Sequence, residues 1–407
     1  MTGLCGLIGD LHIGANLSYA KPSTEQRLNS RLIDYKETFE KTIDDLAASG
    51  VKNLILTGDL FESRAPPLVQ QKIFSQCIHR VFSKGIEQLF IIEGNHDQTR
   101  LVNSSTADPL KELHLPNLHI YDEIQAVELK ENGETIANLI TLPYRDRKWF
   151  GVETAEEANA IIEKQLNAAF DSIKNDKMRL LVGHVCVEGT VFENEDEEFY
   201  GENQLFVPKR FFERADVSLV GHVHAPEVLS KSPYIAYVGS MEKRSGSETH
   251  DKLYAVVDTS TRTVEYRTEP CREIYDLKLD YSHVGLGEGL FDRIAEDADD
   301  FAKTHVMENS IVKISLKIAA PDGRYVEPKR IYRMLKERHQ IHHCVELHPE
   351  LHSERQARND QITEQVVDTE AFRIYLETIV DEKEFRSEIL QIGTDIIRDV
   401  EAQDAAK

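Results

Sequence analysis

Five short motifs carry residues able to do chemistry: Gly9-Asp10-Leu11-His12, Gly58-Asp59-Leu60-Phe61-Glu62, Gly94-Asn95-His96-Asp97, Gly183-His184 and Gly221-His222-Val223-His224. Oxygen and imidazole donors without a thiolate suit divalent manganese, iron or a similar ion, with zinc also compatible, rather than a structural cysteine-rich zinc site. Two such cations about 3.5–4 Å apart clamp a phosphate, lower the pKa of water and stabilise a leaving oxygen. His96, next to Asn95, is then available to protonate the leaving oxygen or to hold a phosphate oxygen, with Asp97 orienting its ring. A single histidine of this kind is usually a surface or satisfied core residue; five motifs in order are a different observation.

Each motif follows an apolar run. Leu4–Ile8, Asn53–Leu56, Gln88–Ile92, Arg179–Val182 and Val217–Val220 are short, rich in Ile, Leu and Val, and stop at Gly or Glu-Gly, as buried strands do. Arg31–Ser49 and Leu68–Lys84 place apolar residues at three- and four-residue spacing, so strands and helices alternate and a layered α/β sheet is expected. Loops at the carboxyl ends of strands in such sheets converge on one crevice, which brings distant motifs together.

The chain of 407 residues is long enough for two or three domains. No apolar run approaches the roughly 18 residues that cross a membrane, and the cytoplasm is the expected location. Cys5, Cys77, Cys186, Cys271 and Cys344 are scattered and form no CxxC pair, so free, mostly buried thiols are expected. The net charge of -23 opposes any reading in which the whole surface attracts a polyanion. A nucleic-acid substrate would have to be drawn by bound cations, a basic patch or a partner.

Ile235–Val238, Leu253–Asp258 and Thr263–Thr268 alternate apolar and polar residues, which predicts antiparallel strands with one wet face. The pattern changes after Pro270. A strand around Ile274–Leu279, a Gly-rich turn at Gly285–Gly289, an acidic helix around Phe291–Thr304, a strand at Ile311–Ile318, a helix opened by Pro328 and a strand near Cys344–Leu347 predict a smaller α+β domain. Residues 351–367 read as a polar linker. Asp368 and Thr369 then cap a helix with Phe372, Tyr375, Leu376 and Ile379 on one face, and a last helix carries Phe385, Ile389, Ile392 and Ile396 as one narrow stripe.

The five motifs resemble the calcineurin-like metallophosphoesterase superfamily. Leu142-Pro143-Tyr144, Val187-Glu188-Gly189-Thr190, Tyr237-Val238-Gly239-Ser240-Met241-Glu242-Lys243 and Glu370-Ala371-Phe372-Arg373-Ile374-Tyr375-Leu376-Glu377 narrow the resemblance to the SbcD/Mre-type DNA repair exonucleases. The resemblance implies a layered α/β sandwich of mixed sheets flanked by helices over residues 1–268, a DNA-capping α+β domain over 269–350, the linker 351–367, and C-terminal helices over 368–407 that bind an ATPase. It implies two divalent ions, most often manganese with magnesium, iron or zinc as alternatives. Asp59 would bridge them, with Asp10, His12 and His224 completing one ion's ligands and Asn95, His184 and His222 the other's. The implied activity is exonuclease and endonuclease cleavage of DNA by a homodimer joined to an SMC-like ATPase of the SbcC type.

One residue departs from the pattern: members commonly carry His or Asp where this chain has Glu62. A carboxylate there repels a phosphate backbone unless it binds a cation or a hydrogen-bond donor; otherwise it is a solvated loop residue. Lys329, Arg330, Arg333, Lys336 and Arg338 make one helix the most basic stretch of an acidic chain, either a DNA-backbone contact or a solvated face. Glu188–Glu202 holds seven carboxylates and reads as a wet loop. His339, His342, His343, His348 and His352 read as a surface cluster. Beside a DNA nuclease subunit, two other functions fit: a phosphatase or cyclic-nucleotide phosphodiesterase of the same superfamily, and a DNA-tethering scaffold with weak catalysis.

Overall fold

The computed structural model describes residues 3–20, 28–99, 104–190, 204–352, 368–379 and 389–397. Two six-stranded sheets form the core. The first runs, edge to edge, Thr263–Thr268, Leu253–Asp258, Leu4–Ile8, Asn53–Leu56, Gln88–Ile92, Leu118–Tyr121; the second runs Glu227–Lys231, Tyr234–Tyr237, Val217–Gly221, Met178–His184, Glu134–Leu142, Ala126–Glu131. In each sheet four neighbouring strands are parallel.

Three apolar clusters make this a four-layer sandwich. Cys5, Leu7, Ile55, Phe90 and Ile92 of the first sheet meet Leu139, Leu180, Val182 and Leu219 of the second. The opposite face of the first sheet packs on the helices Ser30–Ala48 and Leu68–Ser83 through Tyr35, Phe39, Ile73 and Phe74. That of the second packs on the helix Ala155–Ser172 through Ile162, Leu166 and Phe170. Parallel strands covered on both faces must be apolar throughout, which is why the ligand-bearing runs read so clearly.

The same layering corrects one expectation. Leu253–Asp258 and Tyr234–Tyr237 are not strands with a wet face: the first buries four residues in succession, Tyr254 to Val257, and the second three, Ile235 to Tyr237. They also lie in different sheets, Tyr234–Tyr237 pairing parallel with Val217–Gly221 and antiparallel only with Glu227–Lys231. The two-residue alternation holds for the edge strand Thr263–Thr268.

The chain forms two compact units, one of residues 1–278, 292–315 and 327–347 and one of residues 279–291, 316–326 and 348–407. C-terminal to the sandwich come the strands Ile274–Tyr281 and Ile311–Ala319 and the helices Leu290–Phe301, Pro328–His339 and Asp368–Ile379. Most of the acidic segment and of the polar linker, Phe385, and the side chains of Tyr375 and Ile379 lie outside the described residues. No described helix is long and apolar enough to cross a membrane, and all five cysteines are free thiols.

A buried acid ties the core to pH. Glu269 is 2% exposed and accepts a short hydrogen bond from Thr42 on the first helix. Burial, with the nearby charge of Glu242, pushes its pKa from 4.5 up to about 8 despite the Thr42 bond. A carboxyl whose folded pKa lies above its unfolded value contributes its full stability below the unfolded pKa and loses it as pH rises through the folded one. Thermal unfolding of the metal-free protein should therefore show a Tm that falls between about pH 5 and about pH 8, and Glu269→Gln should flatten that fall. An unchanged slope in the variant would assign the pH dependence elsewhere.

Candidate metal centre

The site is built where the carboxyl ends of both sheets' parallel strands meet. Asp10, Asp59 and Asn95 follow the first, second and third of these strands in one sheet; His184 ends a strand of the other and His222 follows its neighbour. The seam is closed by backbone: Asp10 N–H donates to Gly239 O at 3.2 Å and Met241 N–H to Asp10 O at 2.9 Å. Gly9 is obligatory here, because a Cβ on it would lie 1.7 Å from Gly239 O. Gly94 is equally constrained, its would-be Cβ falling 2.2 Å from Asp59 Oδ1.

Three of the ligand candidates hold left-handed backbone: His12 at φ 44°, Asp59 at 47° and His222 at 90°. Such conformations cost on the order of 1–3 kcal/mol each outside glycine and persist where surrounding contacts enforce them. The contacts are present. His12 N–H donates to Asp59 O at 2.8 Å and His222 N–H to Asp10 Oδ2 at 2.8 Å. Asp59 N–H donates to Asp97 Oδ2 at 2.8 Å.

Asp97 organises two loops at once. Besides Asp59, its carboxylate accepts from Leu60 N–H at 3.0 Å and Gly94 N–H at 2.9 Å. Burial and the nearby Asp59 charge push its pKa up to about 6 against those backbone donors. The expectation that Asp97 orients the His96 ring is corrected by this geometry: its oxygens are taken up by backbone N–H groups, and His96 Nδ1 lies 2.6 Å from Glu62 O. That carbonyl only accepts, so the ring carries its proton on Nδ1 and leaves Nε2 free of it when neutral. His96 N–H donates to Asp59 Oδ1 at 2.8 Å.

The donors fall into two groups that meet at one atom. His12 Nε2 and His224 Nε2 face each other at 3.0 Å, and Asp10 Oδ2 is 3.9 Å from His224 Nε2. Asn95 Oδ1 lies 3.0 Å from His184 Nε2 and 2.9 Å from His222 Nδ1. Asp59 Oδ2 is 3.4 Å from His12 Nε2 and 3.4 Å from His184 Nε2, so it stands at the join. Thr57 O accepts from His184 Nδ1 at 2.7 Å, which turns Nε2 toward the other donors. Asp10, His12 and His224, and Asp10, Asp59 and His184, each converge closely enough to hold one ion.

Electrostatics fit the same purpose. Burial, opposed by His184 and reinforced by Asp59, raises the Asp10 pKa to about 7. Burial also acts on Asp59, but the charge and hydrogen bond of His184 outweigh it and hold that carboxyl well below its usual range. Burial depresses His222 to about 3 and lowers His12 and His224, keeping these rings neutral and their lone pairs available. His184 differs: burial lowers it, but the charges of Asp59 and Asp10 outweigh this and raise it to about 9. A buried cluster of carboxylates and imidazoles is what a divalent cation stabilises and what is costly without one. The residues present therefore fit two metal ions.

Two further residues complete the site. Tyr144, from Leu142-Pro143-Tyr144, sets its ring 5.5 Å from that of His222 and 6.3 Å from that of His184. Arg244 has no signal in the sequence; its Nη1 is 3.1 Å from His224 Nδ1 and its Nη2 is 3.1 Å from Glu62 Oε1. Glu62 also meets His12 Nδ1, at 2.9 Å through Oε2. It is thus no solvated loop residue. Burial pushes its carboxyl up, but the close His12 Nδ1 contact and the charge of Arg244 outweigh this and hold it at about 2. His12, Glu62 and His96 form a third convergent group, in which His12 Nδ1 is turned to Glu62 and His96 Nδ1 to a carbonyl.

The remaining candidates come from elements C-terminal to the sandwich. Lys329, Arg330, Arg333 and Lys336 are exposed on Pro328–His339, whose other face buries Ile331, Met334 and Leu335. Helical spacing puts Lys329, Arg333 and Lys336 on one side, and none of the three forms a salt bridge among the described residues, whereas Arg330 pairs with Glu327 at 3.1 Å and Arg338 with Asp299 at 2.9 Å. Among the described residues His339, His342, His343, His348 and His352 join no convergent metal-ligand group. Ile389, Ile392 and Ile396 are 36%, 57% and 58% exposed.

The sequence pattern described as calcineurin-like phosphoesterase matches residues 5–226. The chain is 23% identical over 286 residues to the SbcD component of the SbcCD nuclease of Staphylococcus epidermidis, covering 68% of this chain and 72% of that protein. It is 23% identical over 326 residues to the DNA double-strand break repair protein Mre11 of Haloferax volcanii, covering 79% of this chain but less than two thirds, 62%, of that protein. A solved dimetal phosphatase from Danio rerio aligns at 10% identity with a TM-score of 0.35, over 65% of this chain and 96% of that one.

Proposed function

Because the chain belongs to the calcineurin-like phosphoesterase family, and is therefore a metal-dependent phosphoesterase, we propose that it cleaves DNA phosphodiesters as the nuclease subunit of a repair or recombination complex. The observation that carries the chemistry is Asp59 Oδ2, equidistant from His12 Nε2 and His184 Nε2 at the join of two donor groups. The nucleic-acid part is supported by the relatives: a 326-residue alignment is longer than the metal-binding core, so the likeness to Mre11 includes chain beyond it.

Asp10, His12 and His224 would hold one ion, Asn95, His184 and His222 the other, and Asp59 both. A pair of divalent cations, manganese in this reading, supplies Lewis acidity that activates water and offsets phosphate charge. The protein's own part is to hold its imidazoles in place, by Thr57 O at His184 and by Glu62 at His12, and to keep the site rigid through Asp97. His96, its Nδ1 committed to Glu62 O, is set to act as an imidazolium that gives its Nε2 proton to the leaving oxygen and is left as the neutral ring with its proton on Nδ1. Lys329, Arg333 and Lys336 supply a one-sided cationic strip for the backbone of a polyanion that the net charge of -23 would otherwise repel. The exposed Ile389, Ile392 and Ile396 offer a stripe for an SMC-like ATPase, with the chain acting in the cytoplasm as a homodimer.

Purified protein with manganese should degrade linear duplex or single-stranded DNA faster than a small chromogenic phosphodiester. Reversing charge at Arg333 and Lys336 should weaken DNA binding and flatten its salt dependence while leaving the small ester's turnover unchanged. Turnover of the small ester alone would point to a phosphatase or small-molecule phosphodiesterase, and metal uptake without turnover of either to a tethering role.

A further inference from the structure

The loop between the strand Glu134–Leu142 and the helix Ala155–Ser172 leads from the metal centre to a cavity. It begins Pro143-Tyr144-Arg145-Asp146-Arg147-Lys148-Trp149-Phe150, three cations and three aromatic rings interleaved in a chain whose net charge is -23. Tyr144 belongs to the centre: its N–H donates to Glu93 O at 2.9 Å and its ring lies 5.5 Å from that of His222. Arg145 belongs to the cavity. Consecutive Cα atoms are about 3.8 Å apart, so a single peptide unit joins the two places.

The cavity holds about 470 Å³ between this loop, residues 122–125 and the helix Ala155–Ser172, a volume in the usual range for a small ligand. Its apolar wall includes Pro143, Trp149, Phe150 and Ala169. Trp149 is the one tryptophan of the chain, and it is 46% exposed. The guanidinium carbon of Arg145 stands 4.0 Å from the centre of the indole, a cation–π contact that fixes the ring. Arg145 is itself held: it is 7% exposed, and its Nη1 donates to Tyr144 O at 2.7 Å and its Nη2 to Asp122 O. Trp149 N–H donates to Asp146 Oδ1 at 2.9 Å, which closes the turn that carries the ring. A half-exposed indole fixed in this way is a stacking platform for a second planar group, on the side that Arg145 does not take.

Charge narrows what that group is. Asp122, Glu123 and Gln125 also line the cavity. Carboxylates only accept hydrogen bonds, so they suit the amino groups of a nucleobase and repel a phosphate. The cations Arg147 and Lys148 are on the same loop but outside the lining, and Lys148 is exposed. Acceptors and apolar surface thus lie inside and positive charge outside, as a base and its phosphates require. A paired base is stacked within its duplex and has to leave it to enter.

We infer that the Trp149 cavity receives an unpaired nucleobase of the DNA strand held at the metal centre, stacked on the indole, with the strand's phosphates toward Arg147 and Lys148. This rests on the DNA reading above and deepens it, because it makes single-stranded character next to the cleaved bond part of what the protein recognises.

The sole tryptophan makes the test direct. Indole emission of the full chain with manganous ion is followed while a phosphorothioate oligodeoxycytidylate, which resists cleavage, an abasic strand of the same length, or cytidine monophosphate is added. Anisotropy of the same strands carrying a dye measures binding independently. The base-bearing strand should quench the emission over the concentrations at which it binds, and the abasic strand should bind more weakly without quenching. Trp149→Ala should weaken binding of the base-bearing strand by about 5–150-fold, the worth of one stacked base, and Trp149→Phe by less. Both variants should keep native manganese uptake and native turnover of a small chromogenic phosphodiester, which a merely structural role of Trp149 would not spare. Strand binding without quenching, equal binding of the abasic strand, or affinity within about twofold of native in Trp149→Ala overturns the inference. Quenching by cytidine monophosphate at lower concentration than by the strand also overturns it, in favour of a site for free nucleotides. If Trp149→Ala does not fold, quenching in the native chain and the affinity of Trp149→Phe decide. A native chain that neither binds nor cuts DNA overturns the nuclease reading itself, which is a different failure.

Discussion

His96→Ala is expected to lower DNA hydrolysis by about 10²–10⁴-fold, the usual worth of a positioned general acid, while metal uptake stays at the native level. The separation of the two effects follows from how His96 is attached. Its contact with the bridging carboxylate is made by the main chain, His96 N–H to Asp59 Oδ1 at 2.8 Å, and survives in alanine. Its ring is held by Glu62 O and belongs to neither the Asp10, His12, His224 group nor the Asp10, Asp59, His184 group. A nitrophenyl ester, whose leaving oxygen needs no proton, should lose much less than DNA does. Equal losses on both substrates, or loss of bound metal in the variant, would remove the acid role.

Asp97→Ala should do more general damage. The variant strips the acceptor from three backbone donors, Asp59, Leu60 and Gly94 N–H, all in buried or nearly buried loops. Hydrogen bonds to a charged group contribute about 1.5–3 kcal/mol each, and the stranded N–H groups add their own desolvation cost, so a loss of several kcal/mol in unfolding free energy is expected. The two loops carry Asp59, which stands at the join, and Asn95 of one donor group, so both metal constants should weaken together. Asp97→Asn, which keeps one carbonyl oxygen, should recover part of both losses. Full stability and one intact constant in Asp97→Ala would show that the loops hold their shape without it.

The candidate metal ligands are legible in the sequence because their motifs sit directly after apolar runs whose neighbours are buried on both faces; the strand stops and the donor follows. Nothing comparable marks Arg244. Its partner Glu62 is 182 residues away, and the contact exists only because the end of one sheet is folded against the end of the other. The same distance explains Glu62, whose type reads as a liability for a phosphate ligand but whose two partners, His12 and Arg244, leave no trace in its neighbourhood. Other features outside the sequence reading do have local signals. The helix Ala155–Ser172 opens with Thr154 and Glu157 in a reciprocal capping pair, and Asn132-Gly133, both at positive φ, turns the hairpin between Ala126–Glu131 and Glu134–Leu142. The role expected of Asp97 fails for a different reason: adjacency to His96 in sequence is not adjacency of side chains, and the backbone turns the carboxylate inward to the amides.

Asp10, Asp59 and Asn95 come from one sheet and His184, His222 and His224 from the other, and the sheets meet through an apolar interface closed at the site's end by the backbone bonds of Asp10 with Gly239 and Met241. Cations shared across that line would act as rivets through a laminate. The plies could not slide by one residue without tearing donors from an ion, so occupancy of the centre would also be a measure of alignment between the halves. By mass action each hundredfold excess of free ion over its dissociation constant would clamp the plies by about 2.7 kcal/mol. The fold's cohesion would thereby rise and fall with the supply of the ion it uses for chemistry.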